Sequence, residues 1–222
     1  LIIGTLWLLI NSDSTSPLLP DFLGYDTALF RTIGKAWSIG EIPYADMFDH
    51  KGPILFLNYM LSYKISDHKW SFFLIQSLFF SLSLFNFFKL ANLFTGRKLS
   101  LLIVLVTIIF LNNCFDGGGL SEEFSLPFIS LCLYLMTRWF ITDSNKKIDN
   151  VEIQRHPWQL AMIYGLSIMI IAFIRLNNAI PFFCFIALIF IKLLINKEYK
   201  NILQNIFGFM FGGLLVFLPI YI

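Results

Sequence analysis

Long apolar runs separated by short polar segments dominate this chain. The longest are Trp70–Phe94, Leu99–Cys114, Phe124–Ile141, Gln159–Ile174, Ala179–Ile195 and Ile202–Ile222. A helix needs about 20 mostly apolar residues to cross a bilayer, and these windows approach or meet that length. Because the runs are continuously apolar and do not alternate, they predict transmembrane helices and disfavour the strands of an outer-membrane barrel.

Two shorter helices are predicted around the polar stretch GEIPYADMFDHKGP (Gly40–Pro53). In the preceding segment DTALFRTIGKAW, apolar side chains recur at helical spacing, at Phe30, Ile33, Ala36 and Trp37. Pro53–Ile65 is too short, at about 13 residues, to cross a bilayer, and a proline suits its first helical position. We therefore predict that both helices lie at the outer interface of the membrane.

The composition points to the same class of protein. Hydrophobic residues make up 57% of the 222 residues, charged residues only 14%, and 26 residues are Phe. One soluble core cannot bury so many apolar side chains, so we predict an all-α, polytopic transmembrane helical bundle. Leu1–Ile10 is too short to span and lacks a basic leader, so we predict that the first helix is truncated and that residues 1–222 are the N-terminal part of a longer membrane domain.

The distribution of basic residues predicts an orientation in the cell membrane. Three connections are basic: Thr95–Lys98, Asp143–His156 and Asn196–Lys200. The basic residues within the spans lie near the ends that face these loops: Lys89, Arg138 and Lys192. The positive-inside rule places these loops in the cytoplasm and the alternate connections outside, namely Asn11–Lys51, Asp116–Glu123 and Arg175–Asn178. A net charge of +2 without a basic run gives no reason to expect a nucleic-acid partner.

Three acidic residues stand where helices are predicted to begin. Asp26 could act as an N-cap, a role that contributes about 1 kcal/mol. Glu122 and Glu123 follow Gly117–Gly119, and carboxylates in a first helical turn complement the helix dipole by about 0.3–1 kcal/mol each. The glycines suit either a close backbone approach to a ligand or a flexible turn. The residues alone leave structural and functional roles open.

Further charged residues lie at the predicted outer boundary. Asp46, Asp49, His50 and Lys51 are either solvated loop charges or part of a site. Aspartate and histidine bind metals, but no fixed ligand spacing supports a metal site here, so we assign neither a metal nor a cofactor. Arg175 runs against the positive-inside trend, because it ends a span on the outer side, where it either snorkels or pairs with an anion such as phosphate.

The segment GYDTALFRTIGKAWSIGEIPYADMFDHKGPILFLNYML (Gly24–Leu61) resembles the first outer loop of GT-C glycosyltransferases. The resemblance is to the bacterial branch related to protein mannosyltransferases (glycosyltransferase family 39) and aminoarabinose transferases. GGGLSEEFSLPF resembles the second outer loop of that family, and FIRLNNA resembles its later arginine-bearing turn. Together these segments extend the resemblance over nearly the whole chain.

The resemblance implies an inverting transfer of a sugar from a polyprenyl-phosphate donor to an acceptor hydroxyl on the extracytoplasmic side. Asp26 is the implied catalytic residue, which orients or deprotonates the acceptor. The other charged residues of the outer boundary are assigned to substrate binding: Asp46, Asp49, His50, Lys51, Glu122, Glu123 and Arg175. Lys51 and Arg175 would balance the charge of the leaving phosphate. The expected partners are therefore the lipid-linked sugar donor and membrane lipids, with an unassigned acceptor.

Two other classes of protein compete with the transferase. A transporter of lipid or polysaccharide would also carry charge within its membrane domain, although here the charges gather at the boundary and not in mid-span. The other alternative is a non-catalytic subunit of an envelope assembly complex, for which Asp26 would be dispensable. Loss of activity on replacing Asp26 separates these classes from an enzyme.

Overall fold

The structure, a computed structural model, describes residues 2–20, 24–111, 115–148 and 155–221, with 143–148 and 221 described by their backbone alone. Every regular element in these ranges is helical. The α-helices are α1 (Ile2–Asn11), α2 (Tyr25–Ser38), α3 (Pro53–Ile65), α4 (Lys69–Ala91), α5 (Arg97–Leu111), α6 (Ser121–Ile148), α7 (Trp158–Ile174), α8 (Ile180–Ile195) and α9 (Tyr199–Tyr221). A 3₁₀ turn, Leu176–Ala179, joins α7 to α8. The predicted all-α class is confirmed.

Four stretches within the described ranges are long and apolar enough to cross a membrane, judged by length and composition. They are Lys69–Ala91, Ser121–Thr142, Leu176–Ile195 and Tyr199–Ile220. Helix α7 is also apolar but shorter. The length and composition of these helices therefore indicate that the chain associates with a membrane, where lipid can cover its apolar surface.

The predicted helix boundaries agree closely with the structure except at one loop. Helix α3 begins at Pro53 and ends at Ile65, as predicted, with Pro53 in the first turn. The predicted connection Asp143–His156 is wrong in its first part, because α6 continues to Ile148. Polar residues such as lysine are good helix formers, so a polar sequence alone does not end a helix. Residues 149–154, and the predicted ends of two apolar runs at Cys114 and Ile222, lie outside the described residues.

The first of two compact units comprises Leu1–Pro127 and Phe173–Arg175. In this unit, α1, α4 and α5 share an apolar core of Leu8, Phe73, Phe80, Leu84, Val104, Ile108 and Phe115. Helices α2 and α3 pack so closely that a β-carbon at Gly34 would overlap Tyr59. The apolar face predicted for α2 is confirmed at Phe30 and Ile33, which are buried, whereas Ala36 and Trp37 are only half-buried.

A left-handed turn at Asp116–Gly119 connects several segments of the first unit. The φ angles of its four residues are 38°, 77°, 86° and 85° in chain order. Only glycine adopts such angles without steric cost, which explains three of the four residue types. A β-carbon on Gly118 would also overlap the Ser12 hydroxyl, and one on Gly119 would lie 2.9 Å from the Tyr59 hydroxyl.

Each glycine carbonyl of this turn accepts a hydrogen bond from a different segment. The donors are the Ser14 amide to Gly117 (2.9 Å), the Thr27 hydroxyl to Gly118 (3.0 Å) and the Tyr59 hydroxyl to Gly119. Burial raises the pKa of Tyr59 well above its ordinary value, so its hydroxyl retains the proton that it donates. The turn thereby fixes α2 and α3 against the start of α6.

The second unit comprises Phe128–Ala172 and Leu176–Ile222. Its core contains Cys132, Met136, Trp139, Tyr164, Ile168, Ile171, Ala179, Phe182, Ile189 and Leu193. Helices α7 and α9 meet through small residues, because β-carbons on Gly165, Gly208 and Gly212 would overlap the facing backbone. Close backbone approach of this kind drives helix association where lipid removes the hydrophobic contribution.

A buried histidine connects the start of α7 to α9. The His156 amide donates to Asn201 Oδ1 (2.9 Å), and the His156 carbonyl accepts from the side-chain amides of Asn201 (2.9 Å) and Asn205 (3.1 Å). His156 Nδ1 lies 2.5 Å from Asn205 Oδ1. Burial lowers the pKa of His156 to about 4, so the ring is neutral and donates from Nδ1.

Replacing Gly118 with alanine should destabilise the first unit. A side chain at a φ of 86° costs about 1–3 kcal/mol, and overlap with Ser12 adds to that cost. For a chain of this size we expect the thermal midpoint in detergent to fall by about 4–12 °C. Gly96→Ala is the control, because nothing lies within 4 Å of its β-carbon position. Equal midpoints for the two variants would contradict the account of the turn.

Candidate functional site

Asp26 lies in the first turn of α2 and is not its N-cap. Gly24 occupies the cap position, and no side-chain hydrogen bond caps the helix. The Asp26 carboxylate is half exposed, and its Oδ2 lies 4.0 Å from Lys51 Nζ. The capping role considered from the sequence is therefore wrong in its geometry, although a carboxylate in the first turn still complements the helix dipole.

The Lys51 side chain is almost fully buried, with 5% of its surface exposed. Its ammonium lies 5.8 Å from the centre of the Phe30 ring, an arrangement that favours a cation. The Tyr44 hydroxyl donates to the Lys51 carbonyl, and burial raises the pKa of Tyr44, which keeps that proton in place. Lys51 is thus a fixed positive charge beside a carboxylate that solvent can reach.

The other charged residues of the loop hold its backbone. Asp46 Oδ2 accepts from the Ile42 amide (2.7 Å), and Asp49 Oδ1 accepts from the Lys51 amide (2.8 Å). The His50 ring is exposed and lies 3.6 Å from Asp49 Oδ2. These contacts give Asp46 and Asp49 positioning roles in the loop, whereas Lys51 alone of the four loop residues contacts Asp26 in the described structure.

A backbone contact brings Arg175 to the loop that contains Lys51. The Gly52 amide donates to the Ile174 carbonyl (3.1 Å), and a β-carbon on Gly52 would overlap the backbone of Phe173. Arg175 follows directly and forms an ion pair with Glu122, with both side chains partly exposed. Of the two roles left open for Arg175, the structure shows pairing with an anion, and that anion is the Glu122 carboxylate.

The two adjacent glutamates have different surroundings. Glu123 is 7% exposed; it accepts hydrogen bonds from Gln76 Nε2 (2.6 Å) and from the Leu120 amide (2.8 Å). The Leu120 contact is the carboxylate half of a capping box. Glu122 instead accepts from the Ser121 hydroxyl (2.9 Å) and pairs with Arg175. Glu122 is consequently the member of the pair that a ligand can reach.

Sequence reasoning missed the residues that support these charges. Gln76 receives hydrogen bonds from the Ser12 hydroxyl (3.2 Å) and the Thr15 hydroxyl while donating to Glu123. A glutamine within an apolar span was an available signal, because a buried amide requires partners. The roles of Thr27 and Tyr59 carried no such signal, since their acceptors are backbone carbonyls distant in sequence.

The described residues contain no group of three or more His, Cys, Asp and Glu side chains able to hold a metal ion. The site consists instead of two opposite-charge pairs, Asp26 with Lys51 and Glu122 with Arg175, supported by the turn at Asp116–Gly119. Such a site can accept a proton at an exposed carboxylate and stabilise an anion with two cations.

The fold and the site define a helical membrane-associated protein with two pairs of opposite charges in its first unit. Residues 5–221 match the family described as "Putative competence-induced protein Ccs4 N-terminal domain", and the chain belongs to that family. Comparisons with curated proteins and with solved structures gave no match. The family description names no reaction, so the arrangement of the charged residues is the basis for assigning one.

Replacing Gln76 with leucine should destabilise the support of Glu123. The buried carboxylate would lose its side-chain donor, and hydrogen bonds to charged groups contribute about 1.5–3 kcal/mol. We expect the thermal midpoint in detergent to fall by about 3–12 °C. Gln204→Leu, on the exposed face of α9, is the matched control and should change the midpoint by much less. A smaller effect at Gln76 than at Gln204 would show that the polar network contributes little.

Proposed function

We propose that this protein is a membrane glycosyltransferase that moves a sugar from a polyprenyl-phosphate donor to an acceptor hydroxyl. The observation that supports the proposal most is the pairing of half-exposed Asp26 with buried Lys51. A carboxylate that solvent reaches, beside a cation held in an apolar setting, suits proton abstraction next to a departing anion. The resemblance of Gly24–Leu61 to the first loop of GT-C enzymes supports the same assignment.

In the proposed reaction, Asp26 accepts the proton of the acceptor hydroxyl as its oxygen attacks the anomeric carbon of the sugar. The bond from that carbon to the phosphate oxygen breaks, and the lipid phosphate leaves with the electron pair. Attack opposite the leaving group inverts the anomeric configuration. Holding both reactants in line contributes to the rate by removing the entropy cost of their encounter.

The leaving phosphate would be stabilised by Lys51 and Arg175. Lys51 is already desolvated, so its charge acts with little screening. The planar guanidinium of Arg175 has donors that match phosphate oxygens. It could bind them if its ion pair with Glu122 opens or if both anions contact it at once. Glu122 would then be free to orient the acceptor. The reaction requires no nucleotide and no metal ligand set.

We further propose that the chain is a multi-pass protein of the cell membrane and that its site lies on the extracytoplasmic face. The basic connections support this orientation through the positive-inside rule. A lipid-linked donor remains at the membrane surface, where α2 and α3 would lie as interfacial helices. The donor could then reach the site without leaving the bilayer.

Replacement of Asp26 tests the reaction. In a deletion strain complemented with the full-length gene, Asp26→Asn should lower product formation by about 10²–10⁴-fold and cause lipid-linked donor to accumulate, because the base is lost. Asp67→Asn, which changes an exposed carboxylate paired with Lys35, should retain activity. If Asp26→Asn complements as well as wild type at equal expression, transport or a non-catalytic role in envelope assembly becomes the better account.

Labelling from outside the cell tests the orientation. In a variant whose three cysteines are replaced, a cysteine at exposed Glu41 should react with a membrane-impermeant maleimide, whereas one at exposed Lys98 should react only after lysis. Glu41 lies in a connection proposed to be outside, and Lys98 lies in the first turn of α5, in a basic segment proposed to be cytoplasmic. The reverse pattern would overturn the orientation and the placement of the site.

A further inference from the structure

A groove in the second unit lies between the last turns of the span in α6 and the first turn of α7. Its volume is about 330 Å³. The lining includes Leu135, Arg138, Trp139, Thr142, Gln159 and Leu160. The groove therefore combines a cation and polar side chains with leucines on membrane helices. It shares no residue with the site around Asp26.

Arg138 gives the groove a positive charge that is not neutralised within the described structure. Its guanidinium Nη1 donates to the Tyr134 hydroxyl over a long 3.4 Å, and no described carboxylate lies within ion-pair distance. The residue is exposed and precedes the end of the span, Thr142, by one turn. An arginine at membrane depth is costly unless it reaches water or an anion, so this position favours an anionic ligand.

Trp139 forms part of the wall of the groove. Its side chain lines the groove and is only 4% exposed, yet its indole N–H has no hydrogen-bond partner among the described residues. That N–H is enclosed, so the tryptophan contributes ring surface to the wall of the groove and no donor. The Lys192 ammonium lies 4.8 Å from the centre of the Trp139 ring and adds to the positive charge on this side of the unit.

The wall of the groove is held in place from behind. Pro157, a lining residue, follows His156, whose backbone amide and carbonyl are both bonded to asparagine side chains of α9. This attachment fixes the first turn of α7 and with it Gln159 and Leu160. A groove with a fixed wall loses little conformational entropy when a ligand binds.

We propose that this groove binds an anionic phospholipid. The phosphate would accept hydrogen bonds from the Arg138 guanidinium, while an acyl chain would contact Leu135 and Leu160. A free phosphate would leave the leucines without a partner, and a zwitterionic lipid would bring its own cation to Arg138. Basic pockets between membrane helices are suited to anionic headgroups for the same reason. This inference requires membrane association and does not depend on the proposed reaction.

Lipid binding by the full-length protein tests the proposal. Native mass spectrometry in detergent would compare phosphatidylglycerol with phosphatidylcholine of identical acyl chains. We expect wild type to prefer phosphatidylglycerol and Arg138→Gln to weaken that binding about fivefold, as expected for loss of one basic residue at the membrane surface. Arg138→Lys should retain most of the binding. Arg97→Gln removes an exposed arginine at the start of α5 in the first unit and should weaken binding less than twofold.

Three results would overturn the proposal. They are equal binding of the two lipids by wild type, equal losses in the Arg97 and Arg138 variants, and displacement of phosphatidylglycerol by millimolar inorganic phosphate, which would identify a free-anion site. Binding of neither lipid, as expected if a second copy of the chain fills the groove, would be a fourth such result. If Arg138→Gln does not fold, the lipid preference of wild type and of Arg138→Lys decides the question.

Discussion

The hydrogen bonding of one left-handed turn, Asp116–Gly119, is the constraint on which the first unit depends. A turn with positive φ at four successive residues directs its carbonyls outward, and hydroxyls of Thr27 and Tyr59 bind two of them. Backbone groups buried among apolar helices must find partners inside the protein. The same bonds that satisfy the turn therefore determine where α2, with Asp26, lies relative to the start of α6, with Glu122.

The two charge pairs differ in how freely they can exchange partners. Lys51 is enclosed and cannot move far, so the weak 4.0 Å contact leaves Asp26 available to another hydrogen-bond donor. Arg175 and Glu122 are partly exposed, and pairs of that kind contribute little to stability because solvent screens them. A site built from one fixed cation and one exchangeable cation can admit an anion without unfolding its surroundings.

Most of the fold followed from the sequence, whereas the site followed only in part. Apolar runs gave the helices because bilayer thickness sets their length, and Pro53 marked the start of α3 correctly. The end of α6 was missed because the polar residues after Thr142 carry no periodic signal. The pairing of Arg175 with Glu122, separated by 53 residues, requires tertiary structure that no local pattern encodes. The transferase assignment itself remains a prediction.

The contact between Gly52 and the backbone at Phe173 and Ile174 involves no side chain from either partner. Among the side chains at this contact, only the absence of one at Gly52 is required. If every position were substituted in turn, the contact itself would exclude replacements only at Gly52. Replacements at Phe173 and Ile174 would be limited by the packing of their own side chains and not by this contact. Statistical methods that infer contacts from paired substitutions would miss this junction, although it joins the loop of Lys51 to the residue before Arg175.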